Sequence, residues 1–257
     1  MRAALVLIVL ALFPFSRAHA AVDTLKGTSD MVDAVIYSWS DCNSEVTGEN
    51  CLRYNGGGVY NMGVGLLGSS QDRRVVCRIT GWSGALPDSS EFKVYCYVQS
   101  GVLQRRLFLY PLTSPFLVGD EAAYGIGDYP DPDSGVTWLH RYLDAGDGDS
   151  LLWDNPGGDY TTQVACTTMI NGTGRYFSFR NFNRILEYWD SSGANYGFIL
   201  VNESAFPYNL SAKILKSSES GPGFYPLLIL YSADSAGSAI GRRRRLVSAL
   251  NLKTPIN

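Results

Sequence analysis

Histidine is nearly absent from this chain. There are two in 257 residues, and one of them, His19, falls in an N-terminal segment that reads as removable. His140 is then left alone, which argues against a His-based metal centre and leaves little for His-driven acid–base chemistry. No Cys-x-x-Cys pair, Gly-x-Ser-x-Gly elbow or His-Glu-x-x-His helix occurs, so the sequence signatures of zinc sites, serine hydrolases and zinc proteases are missing. Charge is also scarce, at 18% of residues with a formal net of −3. That balance excludes a generic nucleic-acid binder, which would be strongly basic. Long apolar runs are lacking too. The run 3–13 has eleven residues and Pro226-Leu-Leu-Ile-Leu-Tyr231 is strand length, whereas a helix crossing a bilayer needs about 20 apolar residues. What is present is a 46% hydrophobic content with 27 Gly and 16 Tyr. This is enough for a core and favours β structure with many turns.

Arg2, the apolar run 3–13 and Ala18-His19-Ala20 have the order of a secretory signal peptide with an A-x-A cleavage box. The chain therefore divides into a signal over 1–20, a body over 21–231 and a tail over 232–257, and the expected location is secreted and extracellular. The body carries 14 basic against 23 acidic residues, and the tail is basic through Arg242-Arg-Arg-Arg245. Five cysteines remain after cleavage: Cys42, Cys51, Cys77, Cys96 and Cys166. An exported chain permits disulfides, and an odd count leaves one thiol over. Cys42 and Cys51 flank a short polar loop and form the easiest pair. Cys77 and Cys96 sit on apolar strand faces and can also pair, which would leave Cys166 free as a buried small hydrophobe.

The body alternates with period two. Val75, Cys77 and Ile79 oppose Arg74 and Arg78, and Phe92, Val94, Cys96 and Val98 oppose Lys93, Tyr95 and Tyr97. That is the pattern of half-buried strands. The stretches 105–110, 161–169 and 175–179 read similarly. Phe198-Ile-Leu-Val201 and Leu227-Leu-Ile-Leu-Tyr231 are continuously apolar, which predicts central strands covered on both faces. One segment differs: Phe182, Ile185, Leu186 and Trp189 recur at helical spacing, so a short helix is expected at about 182–189, capped by Asn181 or Asn183 and ended before Gly193. Many short strands, one short helix and no βαβ rhythm predict a single all-β domain, an antiparallel β-sandwich or jelly roll.

The order of short motifs carries a resemblance. Asp33-Ala-Val-Ile36, Tyr60-Asn-Met-Gly63 and Ala85-Leu-Pro87 lead to Gly135-Val-Thr-Trp138 and Trp153-Asp-Asn-Pro-Gly-Gly-Asp-Tyr160. Asn195-Tyr-Gly197, Leu215-Lys-Ser-Ser-Glu219 and the closing Pro226–Tyr231 stretch follow. In this order, over about residues 30–231, the chain resembles the DNRLRE-domain family, also classed as carbohydrate-binding module family 96. It departs from that pattern in the Cys42–Cys51 insertion and in Tyr225, where the family has Arg. The resemblance implies an extracellular β-sandwich that binds polysaccharide. Read locally, Gly157-Gly158 permits a sharp reversal after Trp153. Gly197 lets the backbone pass close to a neighbour, and Ser217-Ser218-Glu219 supplies side-chain oxygens to a turn.

Sugar rings stack on aromatic faces while a few polar groups fix orientation. Trp138, Tyr142, Trp153 and Tyr160 cluster around one long loop region and are the aromatic candidates, with the competing reading that the two tryptophans plug the core. Arg74 and Arg106 come from doublets on strands, where alternate Arg should face solvent, and their forks suit carboxylates. Asp144, Asp147 and Asp149, with Asp128, Asp131 and Asp133 nearby in sequence, suit a structural calcium ion. The EF-hand spacing is absent, however, and a solvated acidic loop is the competing reading. Asn171, Asn202 and Asn209 begin glycosylation sequons. The four-Arg run reads as a flexible solubilising tail, a processing site or a contact to an acidic surface or wall polymer. The sequence thus predicts a secreted, non-catalytic binder of extracellular polysaccharide that needs no cofactor. A surface adhesive or structural protein is the alternative, and a polysaccharide-degrading enzyme stands behind both.

Overall fold

In the computed structural model the described residues are 20–38, 60–66, 72–99, 104–118, 135–144, 149–203 and 212–233. The expected signal up to His19, the Cys42 and Cys51 pair, Trp39, Asp128, Asp131, Asp133, Asp147, Asn209 and the Arg242-Arg-Arg-Arg245 run lie outside them. The expected period-two segments become strands. In chain order they are β1 (Ala20–Lys26), β2 (Met31–Tyr37), β3 (Asn61–Val64), β4 (Arg73–Ile79), β5 (Ser89–Gln99), β6 (Arg105–Pro111), β7 (His140–Asp144), β8 (Asp149–Leu152), β9 (Cys166–Ile170), β10 (Arg175–Arg180), β11 (Phe198–Asn202), β12 (Lys213–Lys216) and β13 (Leu227–Ala233). One turn of helix, α1 (Gly27–Asp30), links β1 to β2, and α2 (Asn183–Ser192) links β10 to β11.

The strands form an antiparallel β-sandwich. One sheet has the order β1-β13-β5-β12-β3, with β10 also on β5. The other has the order β2-β4-β11-β6-β9, and β7-β8 is a separate hairpin. The eleven-residue β5 organises the first sheet. Cys96 pairs with Arg175 of β10 on one edge and with Leu215 of β12 on the other, and Lys93 likewise lies between Ser178 of β10 and Leu227 of β13. A bulge falls at Tyr97, between the Ile214–Val98 and Leu215–Cys96 pairs. Alternation explains the core: Val75, Cys77, Phe92, Val94, Leu107, Leu109 and Phe198 all point between the sheets. Asn195 ties the end of α2 to β4 by donating from Nδ2 to the Ile79 carbonyl, 2.7 Å. A Cβ at Gly197 would collide with the Cys77 carbonyl oxygen, so the close approach read from the sequence is present.

A second apolar cluster lies on the outer face of the five-stranded sheet. Ala34, Ile36, Val76 and Ile199 are covered there by Leu112, Phe116, Val136 and Trp153. The segment between β6 and β9 thus caps one sheet, and it is why β11 is buried on both faces. β13 is different. Leu228 is buried, but Leu227 and Ile229 are only half-buried, because no such cap covers the six-stranded sheet among the described residues.

Three local expectations need correction. Helix α2 starts at Asn183 and runs on to Ser192, with Phe182 as a cap residue that makes no side-chain cap bond. Neither Asn181 nor Asn183 caps it, since Asn181 adopts a left-handed backbone with φ 59° and Asn183 donates to Glu187 instead. The helix ends as expected at Gly193, φ 70°, which only glycine adopts freely. The strand expected over 161–169 begins only at Cys166, because Thr161 to Ala165 continue the loop after the isolated Leu112–Tyr160 bridge. Cys77 and Cys96, the expected pair, are both buried, on opposite sheets: Cys77 lies near Asp33 and Glu219, whereas Cys96 lies near Lys213. The third correction, to Arg74, belongs to the site below.

Candidate functional site

Arg74 is the residue around which the long loop closes. It points to the outer side of β4, as alternation predicts, but it does not face open solvent. Its Nε donates to Asp72 Oδ2 at 3.2 Å and its Nη1 to the Gly157 carbonyl at 2.9 Å. Its guanidinium lies 4.6 Å from the Trp138 ring centre and 5.8 Å from that of Tyr160. Burial pushes the Asp72 carboxyl up, and the neighbouring Arg74 partly opposes that rise. The reason for this arrangement lies in the 153–160 loop. Gly157 and Gly158 have φ of 89° and 105°, and a Cβ at Gly157 would strike the Trp138 ring and Arg74. Asp159, buried, accepts from the Asp154 and Asn155 backbone amides at 3.0 and 2.8 Å and so fixes the turn.

The two tryptophans do not form a sugar platform together. Trp153 is 4% exposed and donates its indole N–H to the Thr137 carbonyl at 2.9 Å. It is a plug in the outer cluster, which was the competing reading. Trp138 is half-buried beneath Arg74. Tyr142 is half-buried on β7 and does not line the depression described next. His140 is buried, its Nδ1 3.2 Å from the Thr137 hydroxyl.

What the fold does assemble is a row of rings on the outer face of β6. Phe108 and Tyr110 lie 5.7 Å apart with planes 4° from parallel. Tyr160 continues the row, 5.3 Å from Tyr110 at 19°. All three are half-buried, and Arg106, exposed, stands at the far end of the same face. Beside Tyr160 is a shallow depression of about 380 Å³ lined by Arg74, Asn155, Pro156, Gly158, Tyr160 and Thr162. Burial pushes the Tyr110 phenol up, with Tyr160 adding to it. Of the sequence candidates, Arg74, Tyr160 and Arg106 thus belong to one surface. Phe108, Tyr110, Asn155 and Thr162 were missed. The signal for the first two was present, since Arg106, Phe108 and Tyr110 alternate on one strand face.

The calcium candidates are only partly placed. Asp144 ends β7, Asp149 begins β8, and the two pair across the hairpin. Among the described residues no group of three or more His, Cys, Asp or Glu is arranged to hold a metal. No helix among them is long and apolar enough to cross a membrane. Cys166 is a free, buried thiol donating to the Asn181 carbonyl at 3.2 Å, with its pKa pushed up to about 12 chiefly by burial. This is an inert small hydrophobe rather than a nucleophile.

No protein-family model matches this chain. No curated protein matches it either.

Proposed function

We propose that this chain is a secreted, non-catalytic polysaccharide-binding protein of the DNRLRE type, and that it binds along the outer face of β6. The observation that carries this reading is the parallel row Phe108–Tyr110–Tyr160, continued by a polar depression at one end and by Arg106 at the other. Half-exposed rings stacked in one line form a continuous apolar ridge against which successive sugars can rest their C–H groups. Asn155, Thr162 and Arg106 supply the few polar groups that fix orientation. The row stands on a strand and a pinned turn, so little ordering entropy is lost on binding.

The test is affinity electrophoresis against a panel of soluble polysaccharides, with Tyr110→Ala and Tyr160→Ala as variants. Each should weaken retention roughly tenfold, about 1.4 kcal/mol, without release of reducing sugar by the wild type. Retention equal to wild type in both variants, with their melting temperatures preserved, would overturn the site. If the wild type self-associates and binds no polysaccharide, the adhesive reading replaces this one.

A further inference from the structure

The outer face of the six-stranded sheet carries a second aromatic surface, pointing away from the first. Tyr95 on β5 packs edge-on against Tyr176 of β10, 5.3 Å and 81°, and against Phe224, 4.9 Å and 74°. Phe224 is not left there by a loose loop. The Tyr176 hydroxyl lies 3.0 and 3.1 Å from the Gly223 and Tyr225 carbonyls, so its single proton is shared between them and holds the backbone on both sides of Phe224. The bulge in β5 sets out Tyr97, and the Lys216 ammonium sits 4.2 Å from its ring centre while donating to Asn61 Oδ1 at 2.9 Å. Tyr97 and Phe224 remain 53% and 43% exposed. Rings held out on a sheet face in this way mark a surface suited to being covered by a ligand.

The charge of this face separates it from the rest of the molecule. Directly paired residues share a face, so Glu91, Lys93 and Arg180 stand on it together with Lys216. Among the described residues of this face, three cations thus share one carboxylate, on a chain whose formal net is −3. Glu91 pairs with Lys93 at 2.8 Å and stands opposite Arg180 across the strands, so the face carries an excess of positive charge. Rings with flanking cations and an amide fit a carboxylated polysaccharide: sugar faces on Tyr97 and Phe224, carboxylates at Lys216 and Arg180.

We infer that this face is a second polysaccharide-binding surface, specific for a carboxylated strand, and that one domain bridges two polysaccharide chains. The two surfaces lie on the outward sides of opposite sheets, so one strand cannot occupy both. The bridging consequence rests on the function proposed above, whereas the second surface does not.

The experiment uses the full mature chain and two probes, polygalacturonate and neutral dextran, read by calorimetry and by turbidity of the mixture. Phe224→Ala and Lys216→Gln should each lower polygalacturonate affinity at least fivefold and leave the melting temperature within a few degrees. Phe224→Ala should also abolish the turbidity that bridging produces, while Tyr110→Ala lowers turbidity and leaves a one-site isotherm. Unchanged affinity and turbidity in both Phe224→Ala and Lys216→Gln overturns the inference while leaving the β6 site standing. Loss in these two variants with no effect of Tyr110→Ala supports the second surface and overturns the β6 site instead. A wild-type dimer in light scattering that Phe224→Ala dissociates overturns the inference, since a second copy would then cover the face.

Discussion

Trp153 shows how one side chain can be read two ways until its hydrogen bond is known. A Trp beside a Gly-Gly turn suits a sugar platform and equally suits a plug. The decision comes from the indole N–H, which donates to the Thr137 carbonyl inside the outer cluster. A buried indole needs such a partner, and that partner comes from a residue sixteen positions away. No local pattern announces it. Trp153→Ala should therefore cost about 3–5 kcal/mol of stability, measured by thermal or denaturant unfolding, through both the vacated volume and the unpaired carbonyl. A loss below about 1 kcal/mol would show that the ring is not a plug. Arg74 is a similar case. Its outward position on β4 was legible from alternation, but the loop that folds over it was not, because Gly157 approaches from 83 residues away. Phe108 and Tyr110 are legible from the same alternation on β6.

Among the elements, the connection between β2 and the turn after β12 carries the least expected chemistry. Asp33 points between the sheets, 2% exposed, and accepts from the Ser218 backbone amide at 2.9 Å. Glu219 is held by the Ser218 hydroxyl at 2.8 Å. The sequence predicts that Ser217-Ser218-Glu219 satisfies its own turn. It does so in part, since Ser217 Oγ accepts from the Glu219 amide at 3.3 Å, but its main bond reaches across to the other sheet. Burial first, and the Glu219 charge second, push the Asp33 carboxyl up to about 7, against the downward pull of its Ser218 hydrogen bonds. The ordinary value is near 3.9, so the folded chain keeps a proton that the unfolded chain releases. This group's contribution is therefore fully present below about pH 4 and is lost as pH rises toward about 7. Asp33→Asn keeps an acceptor for the Ser218 amide and removes the charge. It should melt higher than wild type at pH 8 and show a flatter dependence between pH 4 and 7. Parallel melting curves for the two proteins across that range would exclude the effect.

At the scale of the molecule, the all-β class and the antiparallel sandwich were legible because alternation is a local signal repeated along the chain. The allocation of strands to sheets was not, since β10 and β13 meet the same stretch of β5 from opposite edges and no sequence pattern distinguishes those edges. The cap over one sheet was hidden for a related reason. Its residues between 112 and 160 are apolar at irregular spacing, so they show no period, yet they bury Ile199 and leave the corresponding positions of β13 half-exposed. The cap also divides the outer surfaces: on its own sheet it leaves half-exposed rings on the β6 side, and among the described residues no such cap covers the six-stranded sheet.

Synthesis from the N-terminus gives β5 a particular history. Its edge partners β12 and β13 are among the last residues of the body to emerge, more than a hundred positions after it. Until then the longest strand of the sandwich presents bare amides and carbonyls along one edge, with Phe92, Val94 and Cys96 still lacking a completed core. A nascent chain at that stage is a template for strand addition by another chain. A version stopped after residue 226 should therefore be recovered as aggregates under conditions where the whole chain stays soluble, a difference that sedimentation of the two translation products would display. An equally soluble truncated product would mean that β10 and β12 are enough to protect β5.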